Sequence, residues 1–469
     1  MDGLECSEIK FSKVSGTTTL RFDSDYYKKE YLKIEQFVFT NKDKFVTIND
    51  KNLHVDASAF YPSLEPYYNT GTIPFVRVAD VKGRIDYDSC VRIPEMDERF
   101  STLYLCSPGD VVLTKGGRVG TAGLITKPSY VTRDLIFINS SILSRKDYIT
   151  LYLFFSTNFA YKQMIRSSSM TAQPHLTITL IRDLLIYNYS EEFKQTIAEY
   201  YTKMERLNSQ SQDCYVQATH ILENALDIHT SDFPRKSITT KSISEVCGRW
   251  DAEYYHPKYD ALFSTLSKHK TMPLGGSRGL VSIMKSIEPG SEAYLDQGVP
   301  FIRVSDVDKY EISTPPIMLS KDIVPNIKDL YPKKDTILLS KDGSIGIAYK
   351  LEKDMEAVTS GALLHLTVKD SNIVLPDYLT LVLNSPIVQL QAERDCNGAI
   401  IQHWKPSDIE KVLIPILDMS VQREMASKVQ ESFRLREESK RLLDLAVKTV
   451  EMAIESDEES ALLWLESQK

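Results

Sequence analysis

The hydrophobic positions of this chain follow the same order of patterns in its two halves. Short apolar or alternating runs joined by glycine-containing turns, which are typical of strands, occur at 73–81 (IPFVRVADV), 110–120 (DVVLTKGGRVG), 299–307 (VPFIRVSDV) and 335–346 (DTILLSKDGSIG). Later in each half, at 148–165 and 378–392, the apolar residues take helical spacing. Each half is therefore predicted to be an α+β domain of roughly 180 to 190 residues, within the usual size range.

Each half ends in a stretch whose apolar residues are spaced by alternating steps of four and three, as in the seam of a coiled coil. The seam consists of Phe193, Ile197, Tyr200, Met204, Leu207, Ser211, Cys214, Ala218, Ile221, Ala225 and Ile228 in the first half, and less regularly of Val421, Met425, Val429, Phe433, Leu442, Ala446, Val450 and Ala453 in the second. Neither stretch contains Pro or Gly. Each predicts an uninterrupted helix of about 36 residues, roughly 54 Å long.

Three arrangements would bury these seams: packing against the chain's own globular domain, a parallel dimer of two chains, or pairing of the two helices with each other. The equivalent places of the helices in the two halves favour antiparallel pairing. We therefore expect duplicated domains at 1–189 and 231–416, separated by long antiparallel helices at 190–230 and at 417–469, the latter ending in an acidic tail. Opposed helices would place the domains at opposite ends, related by an approximate two-fold axis.

The two halves also match residue by residue. Arg249 follows Arg21 by 228 residues, and His403 follows His175 by the same interval. A period this long indicates a duplicated domain and not a short structural repeat. Two similar but unequal modules are suited to recognising two similar but unequal targets.

Composition and charge narrow the class of protein. The 469 residues are 42% hydrophobic and 26% charged, as in ordinary globular proteins. No apolar run approaches the roughly 20 residues of a membrane-spanning helix, so we expect a cytoplasmic protein without membrane contacts. The chain has 56 Lys and Arg against 64 Asp and Glu, and the surplus acid lies in the helical segments, with 3 against 8 in 190–234 and 8 against 12 in 417–469. Because a protein that binds DNA alone is usually basic, a partner is expected to supply much of the attraction.

Taken together, the duplicated segments resemble the specificity subunit of type I restriction-modification systems. The resemblance rests on the [IV]PF[IV]RV[AS]DV segment, the GDVVLTKGGRVG and DTILLSKDGSIG hairpins, the segments TAQPHLTITLIRDLLI and IIQHWKPSDIEKVLIP, and the heptads that follow. It implies a non-catalytic chain whose two target recognition domains each bind one half of a split, asymmetric double-stranded DNA sequence.

The same resemblance implies partners for the chain. The helices would bind DNA adenine methyltransferase subunits, two in number, and restriction or translocase subunits would join the larger complex. S-adenosylmethionine is expected on the methyltransferase, and no cofactor on this chain. The alternative is a duplicated coiled-coil scaffold that binds proteins without DNA recognition.

The hairpin loops are the first candidates for DNA contact. Their side chains are Lys115, Gly116 and Arg118 in the first half and Lys341, Asp342 and Ser344 in the second. Glycine permits a tight turn, while Lys and Arg can reach phosphates or guanine edges. An ordinary solvated turn is an equally good interpretation.

A second candidate is the loop before the last strand of each half, which contains Gln173 and His175 in the first half and Gln402, His403 and Trp404 in the second. Gln can pair with adenine, His can donate to a phosphate, and an aromatic ring can stack on a base. Since both halves have a His there, we favour a structural or phosphate-binding role for it.

Differences between the halves point to the residues that read bases. Residues identical in both copies should maintain the scaffold, whereas residues that differ in matching loops should determine the sequence that is bound. The pairs that differ are Arg118 with Ser344, Gly116 with Asp342, and Arg133 with Ser360.

Catalytic interpretations find little support. RFDSDYY at 21–27 and RWDAEYY at 249–255 contain paired carboxylates, but no D/E-x-K element follows at matching distance in both halves, so we favour a structural role. The sequence contains no N-P-P-Y or D-P-P-Y tetrapeptide and no H-E-x-x-H or G-x-S-x-G motif. We therefore predict neither catalytic residues nor a metal site.

Overall fold

The computed structural model of the chain describes residues 6–15, 21–168, 175–228, 233–234, 238–246, 248–315, 317–396 and 402–468. The chain divides into two compact units. Unit 1 spans Met1–Arg206 and Glu438–Lys469, and unit 2 spans Leu207–Glu437. This division differs from the segments expected from sequence in that both long helices contribute to both units.

The N-terminal part of the chain supplies six helices and ten strands within the described residues. In chain order these are α1 (Phe11–Ser15), α2 (Lys29–Thr40), β1 (Phe45–Thr47), β2 (Val55–Ala57), β3 (Ile73–Val76), β4 (Val91–Ile93), β5 (Leu105–Cys106), β6 (Val111–Thr114), β7 (Ala122–Leu124), β8 (Ser129–Val131), β9 (Leu135–Ile138), α3 (Arg145–Phe155), α4 (Asn158–Ser167), α5 (Ile178–Arg182), β10 (Leu185–Tyr187) and α6 (Glu191–Leu226).

The rest of the described chain repeats much of this order. Its elements are α7 (Pro257–Leu266), β11 (Thr271–Pro273), β12 (Val281–Lys285), β13 (Tyr294–Leu295), β14 (Val299–Ile302), β15 (Met318–Leu319), β16 (Ile337–Ser340), β17 (Ala348–Lys350), β18 (Val358–Thr359), β19 (Leu363–Val368), α8 (Pro376–Leu383), α9 (Pro386–Asp395), α10 (Pro406–Ile409), β20 (Leu413–Pro415), α11 (Met419–Glu455) and α12 (Glu458–Ser467).

One four-stranded sheet has the same strand order in both units, and the other shares three strands but has its fourth strand at opposite edges. Within the described part of unit 1, two four-stranded sheets have the orders β2-β9-β6-β7 and β4-β3-β8-β5, and β1 pairs with β10. Within that of unit 2, the orders are β12-β19-β16-β17 and β13-β15-β14-β18, and β11 pairs with β20. The β3–β8 and β14–β18 pairs are parallel, and the other pairs are antiparallel. The predicted duplication of an α+β domain is confirmed.

The first strand of each hairpin is buried over its whole length. Every residue of β6 and of β16 is buried, as expected of short apolar runs in a strand with neighbours on both sides. Side chains of β16 and β19, such as Leu339 and Leu364, pack with Tyr378 of α8 in the core of unit 2. This fixed framework holds the hairpin loop that follows β6 or β16.

The long helices α6 and α11 pair in antiparallel orientation within each unit. In unit 2, Ser211 donates to the Ser432 carbonyl at 2.8 Å, and Ser432 donates to that of Ser211 at 2.7 Å. In unit 1, Ser439 donates to the Met204 carbonyl at 3.0 Å. These bonds are related by the repeat, since Ser439 follows Ser211, and Ser432 follows Met204, by 228 residues. The predicted antiparallel pairing is confirmed.

The buried face of the helices departs slightly from the predicted seam. Of the predicted residues, Phe193, Ile197, Met204, Met425, Leu442 and Val450 are buried, whereas Leu207, Ile221, Val421 and Phe433 are partly buried. In the second half of α6, Tyr215, Leu222 and Leu226 are more buried than Cys214, Ile221 and Ala225. A straight helix drifts from a seven-residue repeat, and here α6 also packs against the core of unit 2.

The acidic C-terminal tail forms α12 and packs on unit 1. Ala461 and Leu465 are buried, and Lys448 of α11 lies 4.7 Å from the Trp464 ring. Glu458 accepts the Ser190 backbone N–H at 3.0 Å, which places a carboxylate at the N-terminus of α6. That position is electrostatically favourable because the N-terminus of a helix carries partial positive charge.

Two further observations concern membranes and metals. Among the described residues, no helix combines the length and hydrophobicity that a membrane-spanning segment requires. The same part of the chain contains no group of three or more His, Cys, Asp or Glu side chains placed to hold a metal ion.

Candidate nucleic-acid interface

The two hairpin loops, at 115–121 and 341–347, have the same backbone conformation. In unit 1 the Thr121 N–H donates to Thr114 Oγ1, and in unit 2 the Ile347 N–H donates to Ser340 Oγ, both at 2.9 Å. Gly117 and Gly343 have φ values of 72° and 73°, in the left-handed region that glycine adopts without strain. The chain therefore displays different side chains on the same turn.

Three segments that lie far apart in the sequence meet at the loop of unit 1. The Lys115 N–H donates to the Asp134 carbonyl at 2.8 Å, and the Lys115 carbonyl accepts the Leu176 N–H at 3.2 Å. The loop also lies against His175, because a Cβ on Gly116 would be 3.2 Å from the His175 ring. The structure thus brings together the segments that carry Lys115, Arg133 and His175.

The loop of unit 2 has equivalent neighbours. The Lys341 N–H donates to the Ala362 carbonyl at 2.9 Å, and the Trp404 N–H donates to the Lys341 carbonyl at 2.8 Å. The Gly343 N–H also donates to the Gln402 carbonyl at 2.9 Å. We call each set of three segments a loop cluster: residues 115–121, 132–134 and 175–176 in unit 1, and residues 341–347, 360–362 and 402–404 in unit 2.

The unit 1 loop cluster presents basic side chains. Arg118, Arg133 and His175 are exposed, and the Arg133 guanidinium lies 4.9 Å from the ring centroid of Tyr61, which is itself 74% exposed. Within the described residues, neither Lys115 nor Arg118 forms an ion pair with a carboxylate. Positive charge here is free to interact with a polyanion.

The unit 2 loop cluster contains a carboxylate that partly neutralises its positive charge. Lys341 donates to Asp342 Oδ2, and the His403 imidazole donates from Nδ1 to Asp342 Oδ1 at 2.8 Å. Partial burial raises the pKa of Asp342, but the hydrogen bonds from Lys341 and His403 outweigh this and lower it below its ordinary value. The two clusters therefore differ in electrostatics although their backbones match.

The predicted pairing of Arg133 with Ser360 is wrong by one residue. The Thr132 N–H donates to the Val76 carbonyl, and the Ser360 N–H donates to the Ile302 carbonyl, so Thr132 and Ser360 are equivalent. Arg133 consequently corresponds to Gly361. Ser360 is only 5% exposed, which removes it from the candidates for base contact.

The predicted role of Trp404 in stacking on a base also needs correction. Its side chain is 1% exposed and lies in the hydrophobic core of unit 2, where no face of the ring is available. The equivalent residue of unit 1 is Leu176, which is fully buried. Position 176/404 is therefore a core position in both units, and the apolar Leu176 was the indication of this in the sequence.

The remaining predicted residues divide as follows. Gln402 and His403 are exposed beside the unit 2 loop, and Ser344 is exposed at its tip. Gln173 lies outside the described residues. Sequence reasoning missed Tyr61, because its loop has no counterpart pattern in the second half.

Residues identical in both units support the framework beneath the clusters. Asp80 and Asp306 are 1% and 3% exposed, and each accepts a backbone N–H, from Arg77 and Arg303 respectively, at 2.9 Å. Their structural role agrees with the expectation that shared residues hold the scaffold.

Comparison with known proteins identifies the family of the chain. A family model described as "Type I restriction modification DNA specificity domain" matches residues 53–213 and 282–443, together more than half of the chain. No curated protein matches. Among solved structures, the chain is similar to the type I restriction-modification S subunit from M. genitalium, with 12% identity over 87% of this chain and 94% of that one and a TM-score of 0.37. It is also similar to the HsdS subunit from Thermoanaerobacter tengcongensis, with 15% identity over 88% and 96% and a TM-score of 0.29. At these TM-scores the family match rests on the sequence model.

Proposed function

Because the chain belongs to the type I restriction-modification DNA specificity domain family, we propose that it is the sequence-specificity subunit of a type I restriction-modification complex. In this proposal, each loop cluster contacts one half of a split DNA target. The observation that carries the proposal is the convergence, in each unit, of three segments with matching backbones and different exposed side chains. Such an arrangement suits the recognition of two unequal half-sites.

The loop clusters divide into positions for phosphate contact and positions for base contact. Lys115 and Lys341 occur at the same place in both units and are assigned to the DNA backbone, where contacts carry no sequence information. Arg118 with Ser344, Gly116 with Asp342, and Arg133 with Gly361 are assigned to bases, because these pairs differ on a common backbone. An arginine can donate two hydrogen bonds to guanine O6 and N7.

The chain itself selects the site and leaves the chemistry to partners. We propose that two DNA adenine methyltransferase subunits bind it and carry S-adenosylmethionine, and that restriction or translocase subunits join a larger complex. The acidic surplus of the helical segments supports partner binding there, since these segments are poorly suited to DNA phosphates.

The test is to map methylated adenines in a host that expresses the chain with its methyltransferase. Arg118→Ser, which introduces the residue found in unit 2, should change or relax one half of the methylated motif and leave the other half intact. Lys127→Ser is the matched control, because Lys127 is exposed beyond the opposite end of β7 from the loop. Wild-type binding that is indifferent to DNA sequence would contradict the proposal and favour a protein-interaction scaffold.

A further inference from the structure

A second feature is repeated in both units and plays no part in the loop clusters. Residues 21–27 (RFDSDYY) and 249–255 (RWDAEYY) each end in a short 3-10 turn, Ser24–Tyr27 or Ala252–Tyr255. In unit 1, Arg21 Nε forms an ion pair with Asp23 Oδ2 at 2.5 Å, and the Tyr27 hydroxyl donates to the Arg21 carbonyl at 3.0 Å. The same contacts occur in unit 2, where the corresponding distances are 2.5 Å and 2.8 Å. We call each of these segments an aromatic clasp.

Each aromatic clasp is fixed to its own unit by its polar residues. Arg21 donates to the Ser168 carbonyl at 3.1 Å, just beyond the end of α4, and Arg249 donates to the Arg394 carbonyl at 3.3 Å, near the end of α9. The Tyr26 ring lies 4.9 Å from the guanidinium of Arg21 and 4.4 Å from that of Arg166. These side chains serve the fold.

The second residue of each clasp, Phe22 or Trp250, is exposed to solvent. Phe22 is 71% exposed and Trp250, 228 residues later, is 79% exposed. Other exposed aromatic residues are not repeated in this way: Phe39 is 76% exposed, but Ser267 stands 228 residues later. A large exposed ring at the same place on the same rigid support in both units indicates a ligand that is bound twice.

The charge of the clasp distinguishes between kinds of ligand. The charges beside each exposed ring are paired within the chain: Arg21 with Asp23 and Lys28 with Asp25 in unit 1, and Arg249 with Asp251 and Lys258 with Glu253 in unit 2. Binding to phosphates depends on cations that are available to the DNA, whereas an exposed apolar ring among neutralised charges is complementary to an apolar pocket of a protein. Aromatic residues buried in such pockets often dominate the energy of protein association.

We propose that Phe22 and Trp250 are equivalent anchors for two copies of one protein partner, one copy on each unit. This rests on the proposed function, in which the partner is the methyltransferase subunit. Each ring would enter an apolar pocket of that subunit, and the ion pairs of the clasp would surround the mouth of the pocket. The clasps are thus specific for the partner and indifferent to DNA sequence.

The proposal is tested on the full chain with its methyltransferase. Native mass spectrometry would count bound subunits, and titration would give the dissociation constant of each. Phe22→Ser and Trp250→Ser should each weaken one of the two binding events by about 10-fold or more, which is typical of an interface hot spot. The double variant should weaken both binding events by the same factor. Phe22→Trp and Trp250→Phe should retain both, because each introduces the residue of the other unit.

Phe39→Ser is the matched control, since it removes an equally exposed ring that is not repeated. Unchanged subunit counts and dissociation constants in the double serine variant would overturn the proposal. Intact assembly with uniformly weaker DNA binding would also overturn it and would assign the clasps to DNA. If the wild-type chain bound no methyltransferase, the proposed function itself would fail, and the anchors with it.

Discussion

At the scale of single residues, Asp342 is one of four charge differences between the loop clusters, beside Arg118 with Ser344, Arg133 with Gly361, and Asp134 with Ala362. Its carboxylate accepts hydrogen bonds from Lys341 and His403. The equivalent residue of unit 1 is Gly116, which offers no carboxylate to Lys115. One carboxylate in a surface loop can therefore decide how strongly a unit is attracted to phosphates.

Asp342→Asn is expected to strengthen non-specific DNA binding. Removing the negative charge frees Lys341 to interact with a phosphate, so the slope of log K against log salt concentration should steepen by about 1. The measurement is a salt titration of binding to a non-target duplex by the assembled complex. Asp354→Asn, which removes an exposed carboxylate elsewhere in unit 2, should leave the slope unchanged; an equal effect of both variants would contradict the assignment.

Another residue-scale difference lies in the core. His365 occupies the position of Phe137, and Thr359 that of Val131, so unit 2 has a buried polar pair where unit 1 has an apolar one. His365 Nε2 and Thr359 Oγ1 are 2.8 Å apart, and Nδ1 of His365 has no hydrogen-bond partner among the described residues. Burial lowers the pKa of His365 to about 4.

This pKa predicts a loss of stability in mild acid. An unfolded histidine titrates near 6.5, so between pH 6.5 and about 4 the unfolded chain binds a proton that the folded chain excludes. The stability that the folded state owes to a neutral His365 is therefore fully present above pH 6.5 and is lost as the pH falls toward 4. The double variant Thr359→Val with His365→Phe should flatten this part of the curve when urea midpoints are measured from pH 7.5 to 4.5. His220→Phe, at an exposed histidine, should not flatten this part of the curve. Equal curves for the wild type and the double variant would refute the explanation.

Several residue-level features could be predicted from the sequence, and others could not. The duplication identified the hairpin glycines and the shared Arg–Asp pairs, because their roles depend on local backbone geometry. The burial of Trp404 and the equivalence of Arg133 with Gly361 depend on which strands pair, as β3 with β8 and β14 with β18. A one-residue shift in such an alignment changes a buried position into an exposed one.

At the scale of elements, the helix pair combines a predictable period with an unpredictable contact. The heptads predicted the length of α6 and α11, and the equivalent places of the helices in the two halves predicted their antiparallel pairing. The shift of the buried face toward Tyr215, Leu222 and Leu226 follows from packing on the core of unit 2, which a period alone does not reveal. Ser211 and Ser432, which interrupt the apolar seam, are fully buried and bonded to each other's carbonyls.

Ser211 is expected to be required for its small size more than for its hydroxyl. Ser211→Ala removes one buried hydrogen bond and should cost about 1 kcal/mol of unfolding free energy. Ser211→Leu must fit a larger side chain between closely packed helices and should cost about 1–3 kcal/mol. Urea denaturation measures both. Ser209→Leu, on the exposed face two residues earlier, should be nearly neutral, and a similar cost at both positions would contradict close packing as the cause.

At the scale of the whole molecule, duplication has produced two units with common supports and separate surfaces. Each unit keeps one sheet of the same strand order, three equivalent strands of a second sheet, the hairpin backbone and the aromatic clasp, while the loop clusters differ in charge. Mutation of a loop in one unit is therefore expected to leave the framework of the other unit intact. Under the proposed function, this independence would allow one half of a bipartite target to change while the other half is kept.

The chain's connectivity predicts different folding behaviour for the two units. Unit 2 is one continuous stretch, so a 207–437 fragment should fold cooperatively by itself. A 1–206 fragment lacks Val450, Ala453 and Leu465, which are buried in unit 1, and should remain poorly folded until a 438–469 peptide is supplied. Circular dichroism and urea unfolding of the fragments would measure this, with a 419–437 peptide as the control that should not rescue. Phe193 and Ile197 are buried in the whole chain and would be more exposed in the 1–206 fragment. Cooperative folding of that fragment alone would contradict the prediction, because it would show that their exposure costs little free energy and that the C-terminal segment contributes little to unit 1.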